Sequence, residues 1–355
     1  MTTLPPKPRS RPDRVSLWRY LRLFKADILS AQPERLYRAW MAEFRTPFFR
    51  SYLLNQPDLV SQVLKDRPEA FPKSDRVSEG LRPLLGASVF LTNGEVWDRQ
   101  RRIIDPAFEK GRLRDSFPAM QEAAEAMVAR LARHVGETVE IEAETSHAAA
   151  DVIFRTLFSL PIDDAVARRV FALFRDYQRS QPIVNIAAFL PLPRWMPRFF
   201  ARRTRHTARE IRGLIRRLTE ERQRAIAAGT APNDLATKIM TTADPVTGNR
   251  FDAEEMVDQV AIFFLAGHET SASALAWTLY LMALYPDWQK RVAAEATQAL
   301  TDASGFEVMS QLRISRDVFR EALRLYPPVP MMVRQATCSE EFRNREVPMG
   351  SQLVL

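Results

Sequence analysis

A chain of 355 residues that is 46% hydrophobic and 26% charged has ordinary globular composition, which excludes a disordered or fibrous protein. Lysine and arginine number 51 against 43 aspartates and glutamates, an excess of +8 that would attract an acidic protein, an anionic membrane or nucleic acid without choosing among them. The single cysteine, Cys338, excludes an intrachain disulfide, fits a reducing, cytoplasmic setting and leaves no Cys/His cluster with zinc-ligand spacing.

Residues 1–29 are a basic, proline-rich N-terminal segment without the apolar run of a signal peptide. Leu17, Leu21, Phe24 and Ile28 share one helical face, with Arg19 and Arg22 off it. Such a stripe could rest on a membrane, but packing onto the protein is the commoner fate of an amphipathic helix, so membrane contact is not expected. Residues 30–355 read as a single domain, because the proline clusters at 182–197 and 327–330 look like bends between packed elements rather than linkers.

Thr46–Leu54 is aromatic-rich and weakly alternating, which predicts a short strand or hairpin, followed by a helix opening at Pro57. Apolar periodicity then predicts helices over 92–105, 117–135, 146–160, 163–179, 198–228, 252–285, 286–300 and 315–326. The strand signal returns at Met331–Thr337 and Gln352–Leu355, the latter an apolar strand ending the chain without a polar tail. The fold class is mainly α with small β-sheets. In the segment 189–200, aromatics beside arginines suit a lid or membrane-touching loop as well as a buried connection. Arg212, Arg216, Arg217, Arg222 and Arg224 lie opposite an apolar stripe and read as a solvated face, and no DNA-reading helix accompanies them.

Asp252-Ala253-Glu254-Glu255 is a capping box, so the start of the helix running to Pro286 is well specified. Its middle, Val260 to Gly267, is apolar all round, which predicts burial; Asp258, His268 and Glu269 interrupt it and argue against a membrane span. Within it, Gly267 bares the backbone, while Glu269 and Thr270 bring a carboxylate and a hydroxyl to one turn. The Thr270 hydroxyl can bond the Ala266 carbonyl and loosen the helix. These residues alone leave two readings open, a satisfied polar pair at a helix bend or a ligand crossing the helix. His268 reads as a hydrogen-bonded bystander.

Thr92-Asn93-Gly94-Glu95 is a second capping box, opening a helix on which Trp97 and Arg101 share a face and could aim an indole N–H and a guanidinium at one anionic group. Farther on, Glu321 and Arg324 stand three apart, and an apolar arc of Val318, Phe319, Ala322 and Leu325 that excludes both predicts a solvated pair.

Taken in order, Trp97-x-x-x-Arg101, Ala266-Gly267-His268-Glu269-Thr270, Glu321-x-x-Arg324 and then Arg334 after a proline bend resemble the cytochrome P450 family over roughly residues 30–355. The resemblance implies a P450-like fold and a haem-thiolate monooxygenase that inserts one oxygen atom from O2 into a small apolar organic substrate. It implies haem b (iron protoporphyrin IX) as cofactor, with NAD(P)H acting indirectly through a ferredoxin-like or flavoprotein electron donor. Thr270 would steady dioxygen and Glu269 relay protons. Trp97, Arg101 and Arg334 would hold the haem propionates, with Ala266 and Gly267 also against the haem. Ile262 and Val329 would be pocket walls, and Glu321 with Arg324 a buried structural pair. Arginines 99, 101, 102, 112 and 114 could form a docking face for an acidic redox partner.

The chain departs from the family in one respect. The iron-ligating cysteine belongs to a Phe-x-x-Gly-x-x-x-Cys-x-Gly loop that is absent here; around Cys338, Met331, Arg334 and Glu340 occupy the Phe and Gly positions. Cys338 is therefore expected to be a bystander, no metal ligand is assigned, and the fold is expected to be incomplete at its C-terminus. The alternative is a non-catalytic P450-like fragment acting as a binding or interaction protein.

Overall fold

The computed structural model describes residues 4–45, 50–180 and 202–355. Residues 46–49 of the expected strand or hairpin, the segment 189–200 and the predicted helix start at 198 lie outside the described residues, as do the side chains of Leu17, Leu21, Phe24 and Arg112. Along the chain run α1 (Leu17–Ala26), α2 (Asp75–Leu85), α3 (Gly94–Ile104), α4 (Lys110–Ala132), α5 (Ile141–Phe158), α6 (Ala165–Ser180), α7 (Arg202–Ala227), α8 (Leu235–Thr241), α9 (Ala253–Leu284), α10 (Pro286–Asp302) and α11 (Arg313–Leu325). The mainly helical class is as expected, and α9 falls within a residue of its predicted ends. Helices α2 and α8 carried no clear signal in the sequence. Helix α4 begins seven residues before its predicted start and keeps Pro118 in its interior, where the ring removes one backbone donor.

The chain divides into two compact units, one of Met1–Pro5, Arg99–Phe174 and Ile211–Pro330, the other of Pro6–Asp98, Arg175–Glu210 and Met331–Leu355. Three of the divisions fall inside α3, α6 and α7, so composition shows no linker there. From Pro6 onward the basic N-terminal segment belongs to the second unit: Arg11 Nε donates to the Ala31 carbonyl at 2.5 Å, and Arg11 bridges Pro33.

The second unit holds a four-stranded sheet of β1 (Met41–Arg45), β2 (Arg50–Leu54), β3 (Val333–Gln335) and β6 (Gln352–Val354) in the order β1-β2-β6-β3. Strand β6 runs parallel to β2, with Tyr52 opposite Leu353, and antiparallel to β3, with Arg334 opposite Leu353. Strand β6 is thus interior, paired on both sides, and leaves no unpaired edge of its own. A two-stranded ladder, β4 (Glu340–Phe342) with β5 (Arg345–Val347), turns through Arg343 and Asn344, both at positive φ as a tight hairpin requires. Tyr52, Leu54, Phe71, Phe342, Val347 and Leu353 form its buried core.

In the first unit α9 packs along α5, α4 packs on α5, and α11 packs on α9. Phe264 of α9 meets Phe154 of α5 and Phe174 of α6, with ring centroids 4.4 and 5.8 Å apart. Burying aromatic rings of this size contributes roughly 1.5–3 kcal/mol each, enough to seat the long helix.

Candidate functional site

Helix α9 starts as the sequence requires. Asp252 Oδ1 accepts from Glu255 N at 2.8 Å and Glu255 Oε2 accepts from Asp252 N at 3.0 Å. Arg99 closes the structure: its Nη1 lies 2.6 Å from Glu255 Oε1, its Nη2 donates to the Arg250 carbonyl, and its guanidinium covers Phe251. The helix is buried on all sides from Met256 to Ile262. Beyond that point its faces separate.

At about 100° per residue, Ala266 and Thr270 stand on one side of the helix, with Glu269 beside them, and Gly267 and His268 turn away. Ala266 and Glu269 are exposed, Thr270 is half-buried, and His268 is buried. The all-round burial expected from the apolar run therefore ends before the polar turn, and Glu269 is not a buried carboxyl. The Thr270 hydroxyl donates to the Ala266 carbonyl at 2.5 Å, the loosening bond its position predicts.

Gly267 was expected against a cofactor, and the structure supplies a different reason for it. A Cβ there would sit 2.4 Å from Ile153 Cδ1 of α5, so the missing side chain admits the neighbouring helix. His268, expected to be a bystander, has a defined partner: its Nε2 and Ser146 Oγ are hydrogen-bonded at 2.6 Å. Phe171 of α6 stands edge-on to the imidazole at 5.4 Å.

Of the expected pocket walls, Ile262 is buried at 4% exposure while Val329 is 62% exposed. Glu321 and Arg324 make a two-pronged pair, both contacts 2.7 Å, but their side chains are 54% and 67% exposed. The solvated pair predicted by periodicity is what forms, not the buried pair that the resemblance implied. The Arg324 guanidinium holds the Glu321 carboxyl below its ordinary value. Close by in the chain, Tyr326 stacks on Trp277 of α9 at 3.8 Å and 9°, a contact the sequence did not announce.

In the second unit, Lys73 and Arg334 are antiparallel bridge partners, with Gln335 N donating to the Pro72 carbonyl beside them at 3.0 Å. Lys73 Nζ donates to the carbonyls of Val89 and Thr92 and lies 5.3 Å from the centre of the Trp97 ring. Two cations opposite each other on paired backbone repel. Arg334 is half-buried, has no ion-pair partner among the described residues, and burial lowers its pKa. A desolvated cation opposite a second one that itself lies against an indole fits an anionic group. Trp97 and Arg334 were expected to act together; Lys73 was missed, since a lone lysine after Pro72 carries no pattern. Arg101 shares α3 with Trp97, and its Nε pairs with Asp105 Oδ1 at 2.8 Å.

The expected docking arginines are largely neutralised. Arg99 pairs with Glu255, Arg101 with Asp105, Arg102 with Asp244 and Arg114 with Glu307. Arg102 Nε lies 2.6 Å from Asp244 Oδ1, and Asp244 is fully buried and also accepts from the Thr247 hydroxyl at 2.8 Å. Its carboxyl is held far below its ordinary value, first by the Arg102 hydrogen bond.

Cys338 is exposed, and its Sγ donates to Glu340 Oε1 at 3.0 Å. That bond to a carboxylate raises the thiol pKa, so this sulfur is kept protonated and does not fit an iron thiolate. Among the described residues no group of three His, Cys, Asp or Glu could hold a metal ion, and no helix is long and apolar enough to cross a membrane.

The described residues thus form a helical scaffold with small sheets, with an acid–alcohol turn on α9 in the first unit and, in the second, a cluster beside Trp97 that fits an anionic group. The cytochrome P450 family model matches residues 37–355, and the chain belongs to that family. It is 34% identical over 321 residues to cyclooctat-9-en-7-ol 5-monooxygenase of Streptomyces melanosporofaciens, covering 88% of this chain and 67% of that protein. It is 28% identical over 302 residues to cytokinin hydroxylase of Arabidopsis thaliana, covering 84% of this chain and 58% of that protein. The chain thus spans about three fifths to two thirds of these relatives' length. The crystal structure of the cytochrome P450DA heme domain shares its fold with a TM-score of 0.78 at 23% identity, covering 98% of this chain and 76% of that one.

Proposed function

We propose that the chain forms the oxygen-handling and propionate-binding parts of a cytoplasmic haem-thiolate monooxygenase acting on a small apolar organic substrate. Haem b would be its cofactor, with electrons from NAD(P)H through a ferredoxin-like or flavoprotein donor. The observation that carries this reading is the Glu269–Thr270 turn of α9, set in a chain of the P450 family. The reported relatives bear the names of a monooxygenase and a hydroxylase, which gives no support to a non-catalytic binding protein.

Lys73, Trp97 and Arg334 would hold the haem propionates, which supply the negative charge that the desolvated Arg334 lacks. When bound, haem supplies the iron at which oxygen is activated. Ala266 has only a methyl group and leaves room for a flat ligand on the exposed face of α9. The Thr270 hydroxyl spends its proton on the Ala266 carbonyl and keeps its lone pairs for a donor. Exposed Glu269 can exchange protons with water and pass them along that face. Cys338, hydrogen-bonded to Glu340 and kept protonated, would not supply a thiolate to the iron.

The test uses the protein expressed from its whole reading frame, reduced and treated with CO. Absorption at the thiolate-haem position, together with a Phe-x-x-Gly-x-x-x-Cys-x-Gly loop in that frame, is expected; lack of any haem band sinks the reading. In the same protein, Thr270→Ala should lower product formed per electron pair consumed, and unchanged coupling would remove Thr270 from its role.

A further inference from the structure

The polar turn of α9 carries a side-chain hydrogen bond on one of its own helix carbonyls. The Ala266 carbonyl accepts both from the helix and from the Thr270 hydroxyl, which loosens the backbone where Glu269 and Thr270 are presented. The residues between them and α5 and α6 are Gly267 and His268. Gly267 lets α5 approach, since a Cβ would meet Ile153 at 2.4 Å. That contact is apolar and fixes how closely the two helices approach. The hydrogen bond between Ser146 Oγ and His268 Nε2 at 2.6 Å is directional, buried, and one residue from Glu269. Phe171 packs against the imidazole with the two ring planes at 89°. A hydrophobic side chain could fill this space with no polar group to satisfy, so the imidazole and hydroxyl contribute orientation rather than burial.

We infer that His268 is a positioning residue: held by Ser146 and Phe171, it fixes the rotation of α9 so that Ala266, Glu269 and Thr270 keep one face. The inference rests on the oxygen-handling role proposed for that turn. It assigns to Ser146, on a different helix, an influence on chemistry it does not touch.

The test compares Ser146→Ala, Ser146→Thr and Thr270→Ala in the haem-loaded protein, with amide hydrogen exchange followed over residues 266–271 in both the haem-loaded and haem-free forms. In Ser146→Ala exchange over 266–271 should rise about tenfold, with the rest of α9 unchanged, and product per electron pair should fall at least about threefold at unaltered KM. Ser146→Thr, which keeps the hydroxyl, should restore both. Wild-type exchange and coupling in Ser146→Ala overturn the inference, as does a loss of protection spread evenly along α9. If Ser146→Ala yields no haem-loaded protein, the haem-free exchange pattern decides by the same criterion. Thr270→Ala separates the two ideas: if it leaves coupling unchanged, the oxygen-handling reading fails; if it uncouples while Ser146→Ala does not, the positioning role alone fails.

Discussion

Gly267 of α9 and Ile153 of α5 are packed so closely that a Cβ added to the glycine would lie 2.4 Å from Ile153 Cδ1 and 3.2 Å from its Cγ1. Two effects oppose each other in Gly267→Ala. Alanine gains up to about 1 kcal/mol in helix propensity, while overpacking costs roughly 1–3 kcal/mol. The atom in the way is the tip of a flexible side chain, so the cost should fall near the lower end. The substitution is expected to destabilise by about 1 kcal/mol. In an Ile153→Val background, which removes Cδ1, the same change should cost less. Urea unfolding of the four proteins in the cycle measures this, and simple additivity would contradict the contact.

Arg334 sets stability against binding. Its guanidinium is half-buried, opposite Lys73, without a carboxylate partner among the described residues. Replacing it by methionine should raise the stability of the haem-free chain by about 0.5–1 kcal/mol, a figure already reduced for its partial solvation. The same substitution should weaken haem retention. Thermal unfolding without haem and haem transfer to an acceptor protein give the two signs, and a loss in both would mean that Arg334 has a structural partner.

The pairing of Asp244 with Arg102 makes the first unit acid-sensitive. A buried carboxyl held below its ordinary value of 3.8 in the folded chain binds its proton more readily once unfolded. Its contribution is complete above about pH 4 and declines as the pH falls toward the lower folded value. Asp244→Asn should lower the Tm at pH 7, and the gap to the unsubstituted chain should narrow between about pH 4 and pH 2. A gap independent of pH would show that charge is not the cause.

Glu255 serves two structures at once, the capping box and the clamp from Arg99. Glu255→Ala should therefore cost about 2 kcal/mol, more than a cap alone, and Arg99→Ala about 1 kcal/mol. The double variant should cost less than the sum, because either change removes the shared bond. Full additivity in denaturant unfolding would place the two contributions at separate sites.

What the sequence determined by itself is local or ordered along the chain. Asp252 and Glu255 are three residues apart and specify their own helix start; Ala266 and Thr270 are four apart and must meet on a helix. The succession of Trp97, the 266–270 turn, Glu321 with Arg324, and Arg334 sufficed for the family. Only tertiary structure decided which neighbours these residues have. Lys73 and Arg334 meet through pairing of backbone segments about 260 residues apart, which no spacing records. The β4–β5 hairpin escaped notice because Phe342 and Val347 alone reach the core, leaving no alternation to read. His268 looked incidental because its partner, Ser146, is 122 residues away on another helix. Periodicity assigns each residue to a side of its own helix; what covers that side is set by packing, and in α9 packing exposes Glu269 while burying the histidine beside it.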